Sequence, residues 1–158
     1  MKTQKKLKYE LCKVHPLNDH IQKHCKELYQ PNREVSIDKR MVGLKARFFF
    51  RQYIRNKPTR WGFKLWCLCN SHNGYTSSFS VYRGKNGEVR SSNGLGYDVV
   101  VSLMQNYLSQ GYSSYIDNFC TSPTLVSDLY DLGVHVTGTQ DCTRTCVPAE
   151  IPSLKKQN

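Results

Sequence analysis

A mixed α/β sheet with flanking helices is the fold class that the sequence predicts, and three observations lead to it. Short apolar runs with strand character recur at 35–38, 61–69, 75–83, 113–117 and 134–138. The second and third of these runs are separated by little more than Asn73-Gly74, a strong turn signal, whereas the later runs are separated by stretches with helical periodicity. Hairpin-connected strands pair antiparallel and helix-connected strands pair parallel, so one side of the sheet is expected to be antiparallel and the other parallel. At 158 residues the chain suits one domain with a real core.

The elements follow in order. Leu17, Ile21, Cys25 and Leu28 recur at helical spacing, which predicts an amphipathic helix over 17–29, with Asn18 or Asp19 as cap and Pro31 beyond its end. His20 and His24 stand four residues apart on that helix, a spacing a metal could use, but no further ligand signature accompanies them and a solvated face is the better reading. Val35 to Asp38 is a short strand, followed by a basic segment over 39–60. From Trp61 to Cys69 the odd positions are apolar throughout, while Trp66 and Leu68 add to the other face, so a strand buried on both sides is expected. Residues 75–83 alternate and complete a hairpin. Four glycines between 84 and 96, with Asn86, Ser91, Ser92 and Asn93, predict a loop. Val100, Leu103, Met104, Tyr107 and Leu108 then form a helical stripe ending at Gly111. Ser122-Pro123 reads as an N-cap followed by proline in the first turn, with Leu125, Val126 and Leu129 on one face and Gly133 past the end.

Composition narrows the classes of function. Apolar residues make up 39% of the chain and 18 are aromatic, which argues against wholesale disorder. No apolar run approaches the roughly 20 residues that span a bilayer, and no signal-peptide core follows the basic amino terminus, so a soluble intracellular protein is expected, with no membrane partner. Residues 1–66 hold 17 Lys and Arg against 5 Asp and Glu, a net +12, whereas residues 67–158 hold 6 against 7, a net −1. Cations concentrated in this way suit a polyanion, because each one set against a phosphate releases condensed counterions. Lys2, Lys5, Lys6 and Lys8 also read as a solvated tail or a nuclear-import stretch. The seven cysteines are odd in number and contain no C-x-x-C pair, so reduced thiols are expected, with Cys67 and Cys69 as small core residues.

Two aspartates draw the eye to chemistry. Asp38 and Asp117 each close a short apolar strand, where a carboxylate is poorly accommodated unless it meets a cation. Each also reads as a turn former, Asp38 ending a strand and Asp117-Asn118 opening an Asx turn. If the two strands pair in parallel, about 4.8 Å apart, the carboxylates could share a divalent metal. That is the logic of the ribonuclease H-like fold, in which acids on neighbouring strands hold metal ions for phosphoryl transfer. No third acid stands in an obvious place to complete such a set.

The residues themselves carry a resemblance. FFFRQYIRNKPTRWGFKLW (48 to 66), Asn73-Gly74-Tyr75, and Tyr115-Ile116-Asp117-Asn118-Phe119 with Thr121-Ser122 closely resemble the transposase domain of piggyBac elements and their domesticated derivatives. The stretch from Pro16 through Tyr29-Gln30-Pro31 to Ser36-Ile37-Asp38 resembles the entry to that domain, and the likeness spans roughly 14–140. It implies a ribonuclease H-like mixed sheet truncated after about five strands, with a basic, helix-bearing segment at 1–33, the partial transposase domain at 34–140 and a polar tail at 141–158.

The resemblance also implies roles. Asp38 and Asp117 fall on the family's first two catalytic, metal-binding aspartates, and Mg²⁺ is the implied cofactor. DNA is the implied partner and the nucleus the implied location, with no small-molecule substrate and a homodimer left open. Lys57 falls in a segment near DNA, and its basic neighbours Lys45, Arg47, Arg51, Arg55, Arg60 and Lys64 are the other candidate DNA contacts. Where the family usually reads Ile-Asp-Glu, this chain reads Ile37-Asp38-Lys39, which puts a cation beside a ligand position. The family's third aspartate follows an inserted region that has no counterpart before Asn158. The expectation is therefore ancestry in metal-dependent DNA cleavage and strand transfer without cleavage by this chain alone; a domesticated, non-catalytic DNA-binding or protein-interaction module is the alternative.

Overall fold

The computed structural model describes residues 14–45, 51–55, 58–84 and 91–140. The amino-terminal lysines, Arg47, the Phe48–Phe50 run, Lys57 and the tail at 141–158 lie outside the described residues.

The first element is helix α1 (His15–Leu28). It begins after Val14, with Pro16 in its first turn and no side-chain cap, rather than at Asn18 or Asp19. Proline suits that place because the first-turn N–H groups have no helical acceptor. His20 and His24 touch edge to face on its solvated side, and His24 faces Glu27. The strands are β1 (Glu34–Gly43), β2 (Gln52–Tyr53), β3 (Trp61–Asn70), β4 (Thr76–Val81), β5 (Ser113–Ile116) and β6 (His135–Gly138). Helices α2 (Leu95–Met104) and α3 (Pro123–Asp131) connect the last three strands.

The sheet is mixed, as expected, in the order β2-β3-β1-β5-β6 with β4 also on β3. β1 runs antiparallel to β3 and parallel to β5, and β6 joins β5 in parallel. β1 extends well past Asp38, to Gly43, because nine successive residues find partners on β3. β3 is central and long, and its pairing departs from the expected face. Trp66 and Leu68 are fully buried in the main core with Val35, Ile37, Val100, Leu103, Met104 and Leu129, whereas Trp61, on the supposed apolar face, is 49% exposed. Only the middle of the strand, at Trp66, Cys67 and Leu68, is buried on both sides. Gly62 is required here, because a Cβ would collide with the Val42 carbonyl oxygen on the facing strand.

The helix predicted to run to Gly111 stops at Met104. Tyr107 and Leu108 still pack inward from a series of turns, and Gly111, at φ 75°, swings the chain into β5. The α3 cap is as expected: the Ser122 hydroxyl accepts a hydrogen bond from the Leu125 N–H, with Pro123 in the first turn. Among the described residues no helix is long and apolar enough to cross a membrane.

Candidate functional site

The parallel pairing of β1 with β5 sets Ile37 opposite Ile116, so Asp38, still within β1, and Asp117, just past the end of β5, follow neighbouring positions along the backbone. Their side chains do not go the same way. Along β1 successive residues alternate between faces: Val35 and Ile37 enter the core, and Asp38 turns to the opposite face, level with Cys67. There, with Ser36, Arg40, Cys67 and Cys69, it borders a shallow cleft of about 340 Å³. Burial is the main reason the Cys67 thiol is pushed up to about 11; Cys69 and Asp38 act in the same direction and Arg40 against it.

Lys39, one residue on, lies on the core face, level with Trp66. From there its Nζ donates to Asp117 Oδ2 at 2.6 Å, with both side chains 27% exposed. Asp117 Oδ1 accepts the Cys120 N–H at 3.2 Å, and the Asp117 carbonyl accepts from the N–H and the hydroxyl of Thr121. The turn-forming role of Asp117 is thus realised alongside its ion pair. Burial pushes the Asp117 carboxyl up, but the Lys39 hydrogen bond and charge and the Cys120 N–H outweigh it, so the group sits below the ordinary carboxylate range. The Cys120 thiol goes the other way, to about 12, through burial first and the Asp117 charge second.

Aromatic rings wall this ion pair. Phe119 stacks on the buried Trp66 with centroids 5.4 Å apart, and the Lys39 ammonium is 5.3 Å from the Phe119 centroid. Lys64 shares this face of β3: its ammonium is 4.0 Å from the Trp66 ring, 4.7 Å from Tyr82 and 5.2 Å from Phe119. Each contact falls within cation–π range. Of the basic residues expected to meet DNA, Lys45, Arg55 and Arg60 are exposed near the β2–β3 end of the sheet, and the Arg51 guanidinium lies 4.3 Å from the Trp61 ring. Lys64 is apart from them, half-buried among the rings.

The arrangement does not fit a divalent cation shared by the two aspartates. One oxygen of Asp117 is taken by an ammonium, Asp38 lies on the other face, and among the described residues no group of three or more His, Cys, Asp or Glu side chains could hold a metal ion. A fixed positive charge stands at Asp117 instead. The sequence marked Lys39 as an intruder beside Asp38; the pleat shows that the carboxylate it meets is the other one. Tyr82 had no signal of its own and Phe119 only its place in the Asp117-Asn118-Phe119 motif, since their grouping rests on which rings surround Lys64.

Comparisons with known proteins agree with this architecture. A family described as Transposase IS4 matches residues 1–158. PiggyBac transposable element-derived protein 3 of Homo sapiens is 30% identical over 131 residues, covering 80% of this chain and 22% of that protein. The chimeric ERCC6-PGBD3 protein of Homo sapiens is likewise 30% identical over 131 residues, covering 80% of this chain and 12% of that protein. The chain therefore spans under a quarter of the curated relatives it matches. Among solved structures, a cryo-EM structure of a piggyBac transposase synaptic complex with hairpin DNA superposes with a TM-score of 0.76 at 27% identity, over 85% of this chain and 28% of that one.

Proposed function

The chain belongs to the Transposase IS4 family, as a relative of the piggyBac transposases with ancestry in DNA transposition, and from that premise we propose that its own residues grip DNA without cutting it. The observation that carries this reading is the 2.6 Å ion pair between Lys39 and Asp117. DDE transposases as a family work through a divalent metal ion, Mg²⁺ being the ion we would assign to active relatives. A lysine amine on Asp117 neutralises the carboxylate without supplying the open coordination positions that such an ion offers to a phosphate oxygen or a water.

The binding half of the proposal rests on charge. The net +12 of residues 1–66 and the exposed Lys45, Arg55 and Arg60 favour phosphate contacts, which attract DNA of any sequence. A structural relative bound to hairpin DNA supports the same partner, and we place the protein with that partner in the nucleus. Phosphates meeting the basic end of the sheet would be held but not hydrolysed. Purified chain incubated with duplex and hairpin DNA and Mg²⁺ or Mn²⁺ tests the proposal. Shifted but intact DNA is expected; nicking that disappears in Asp117→Ala would overturn it.

A further inference from the structure

Next to the ion pair, on the same side of the sheet, is a cavity of about 470 Å³ bordered by Lys64, Tyr82, Asn93, Phe119, Cys120 and Ser122, and by the first turn of α2. Its size falls in the range of small-ligand sites, about 300–1,000 Å³. Three features of its wall are chemically distinct. Phe119 is 37% exposed and backed by Trp66, with the Lys39 and Lys64 ammoniums 5.3 and 5.2 Å from its centroid, so it offers partly exposed aromatic surface edged by cations. The Lys64 ammonium stands at the same wall among three rings. Asn93 adds a side-chain amide, and the first turn of α2 begins at Gly94, which has no side chain to cap it. An aromatic plate with a cation and amide donors at its edge matches a nucleobase joined to a phosphate.

We propose that this cavity receives one unpaired nucleotide of the DNA that the domain binds, its base against Phe119 and its phosphate toward Lys64. The proposal rests on the DNA-binding reading above and adds to it a preference for unpaired strands. A paired base cannot use the plate, because its faces are covered by its neighbours in the duplex. Proximity follows from the fold: Cys120, which borders the cavity, is the residue whose N–H meets Asp117, so a nucleotide held here lies beside the carboxylate.

Fluorescence anisotropy with the full 158-residue chain, a labelled oligothymidylate of ~12 nucleotides and a duplex of equal length tests it. Phe119→Ala is expected to weaken single-strand binding ~10-fold and duplex binding less than ~2-fold, with Phe119→Tyr restoring the single-strand affinity. Because Phe119 supports Trp66, Phe119→Leu is measured as well: it retains apolar bulk but not the aromatic plate, and it should show the same selective loss with an unchanged far-UV spectrum. Equal losses on both DNAs, or no loss on the single strand, would overturn the proposal. Thymidine monophosphate that displaces the oligonucleotide at equal nucleotide concentration would assign the cavity to free nucleotides and overturn it too. Failure of wild-type chain to bind either DNA would overturn both this inference and the DNA-binding reading, whereas duplex binding with no effect of Phe119 would sink this inference alone.

Discussion

Replacing Lys39 by methionine keeps an unbranched apolar side chain and removes the charge, which isolates the ion pair. A hydrogen bond to a charged group contributes about 1.5–3 kcal/mol when its partner would otherwise be left without one. Asp117 keeps the Cys120 N–H and is 27% exposed to water, so the cost of Lys39→Met should lie toward the lower end, about 1–2 kcal/mol. Urea unfolding of wild type, Lys39→Met, Asp117→Asn and the double variant gives the coupling directly, expected at about 1–2 kcal/mol in favour of the pair. The pH dependence has a fixed sign. The folded carboxyl is depressed relative to the unfolded one, so the stabilisation is fully present above the unfolded value of about 3.9 and is lost as pH falls through the lower folded value. The wild-type advantage should therefore be constant near neutrality and shrink below about pH 4. A coupling below about 0.3 kcal/mol, or an advantage unchanged down to strongly acid pH, would refute the role given to this pair.

Lys39→Glu places a second carboxylate by Asp117 where the ammonium stood, so calorimetry should detect Mn²⁺ binding in this variant that is weaker or absent in wild type. If Lys45, Arg55, Arg60 and Arg40 each meet a phosphate, the logarithm of duplex affinity should fall with log salt at a slope of about −3 to −4, roughly a 100-fold loss between 50 and 200 mM; a flat titration would exclude phosphate-led binding. Gly62→Ala must push β3 away from Val42, and thermal unfolding should show a loss of about 2 kcal/mol or more. Cys67 and Cys120, with thiols at about 11 and 12, should resist alkylation at pH 8 in the native protein, while rates near those of a free cysteine would show the buried setting to be wrong.

Much of the fold was legible because its signals are local. The Ser122-Pro123 cap, the Asn73-Gly74 turn and the stripe from Val100 to Leu108 each depend on residues within a few positions of one another. Even there, tertiary packing changed the outcome: the stripe stayed buried although the helix gave way to turns after Met104, since burial requires inward side chains and not a continuous helix. The short pairing of β2 with β3 had no comparable signal, because two residues are too few to show a period.

The candidate site divides along the same line. The sequence by itself determined that the chain is basic at one end, that its strands and helices alternate toward a mixed sheet, and that Asp38 and Asp117 stand in a transposase-like pattern, although β1 continues past Asp38 to Gly43. Only the tertiary structure decided that these carboxylates part to opposite faces, that Lys39 crosses 78 residues of chain to hold Asp117, and that Lys64 belongs with Trp66, Tyr82 and Phe119. The reason is geometric. A composition or a short-range period is carried by neighbours in the chain, whereas the face a side chain takes and the partner it finds there are fixed by strand register, which exists only once distant segments have paired.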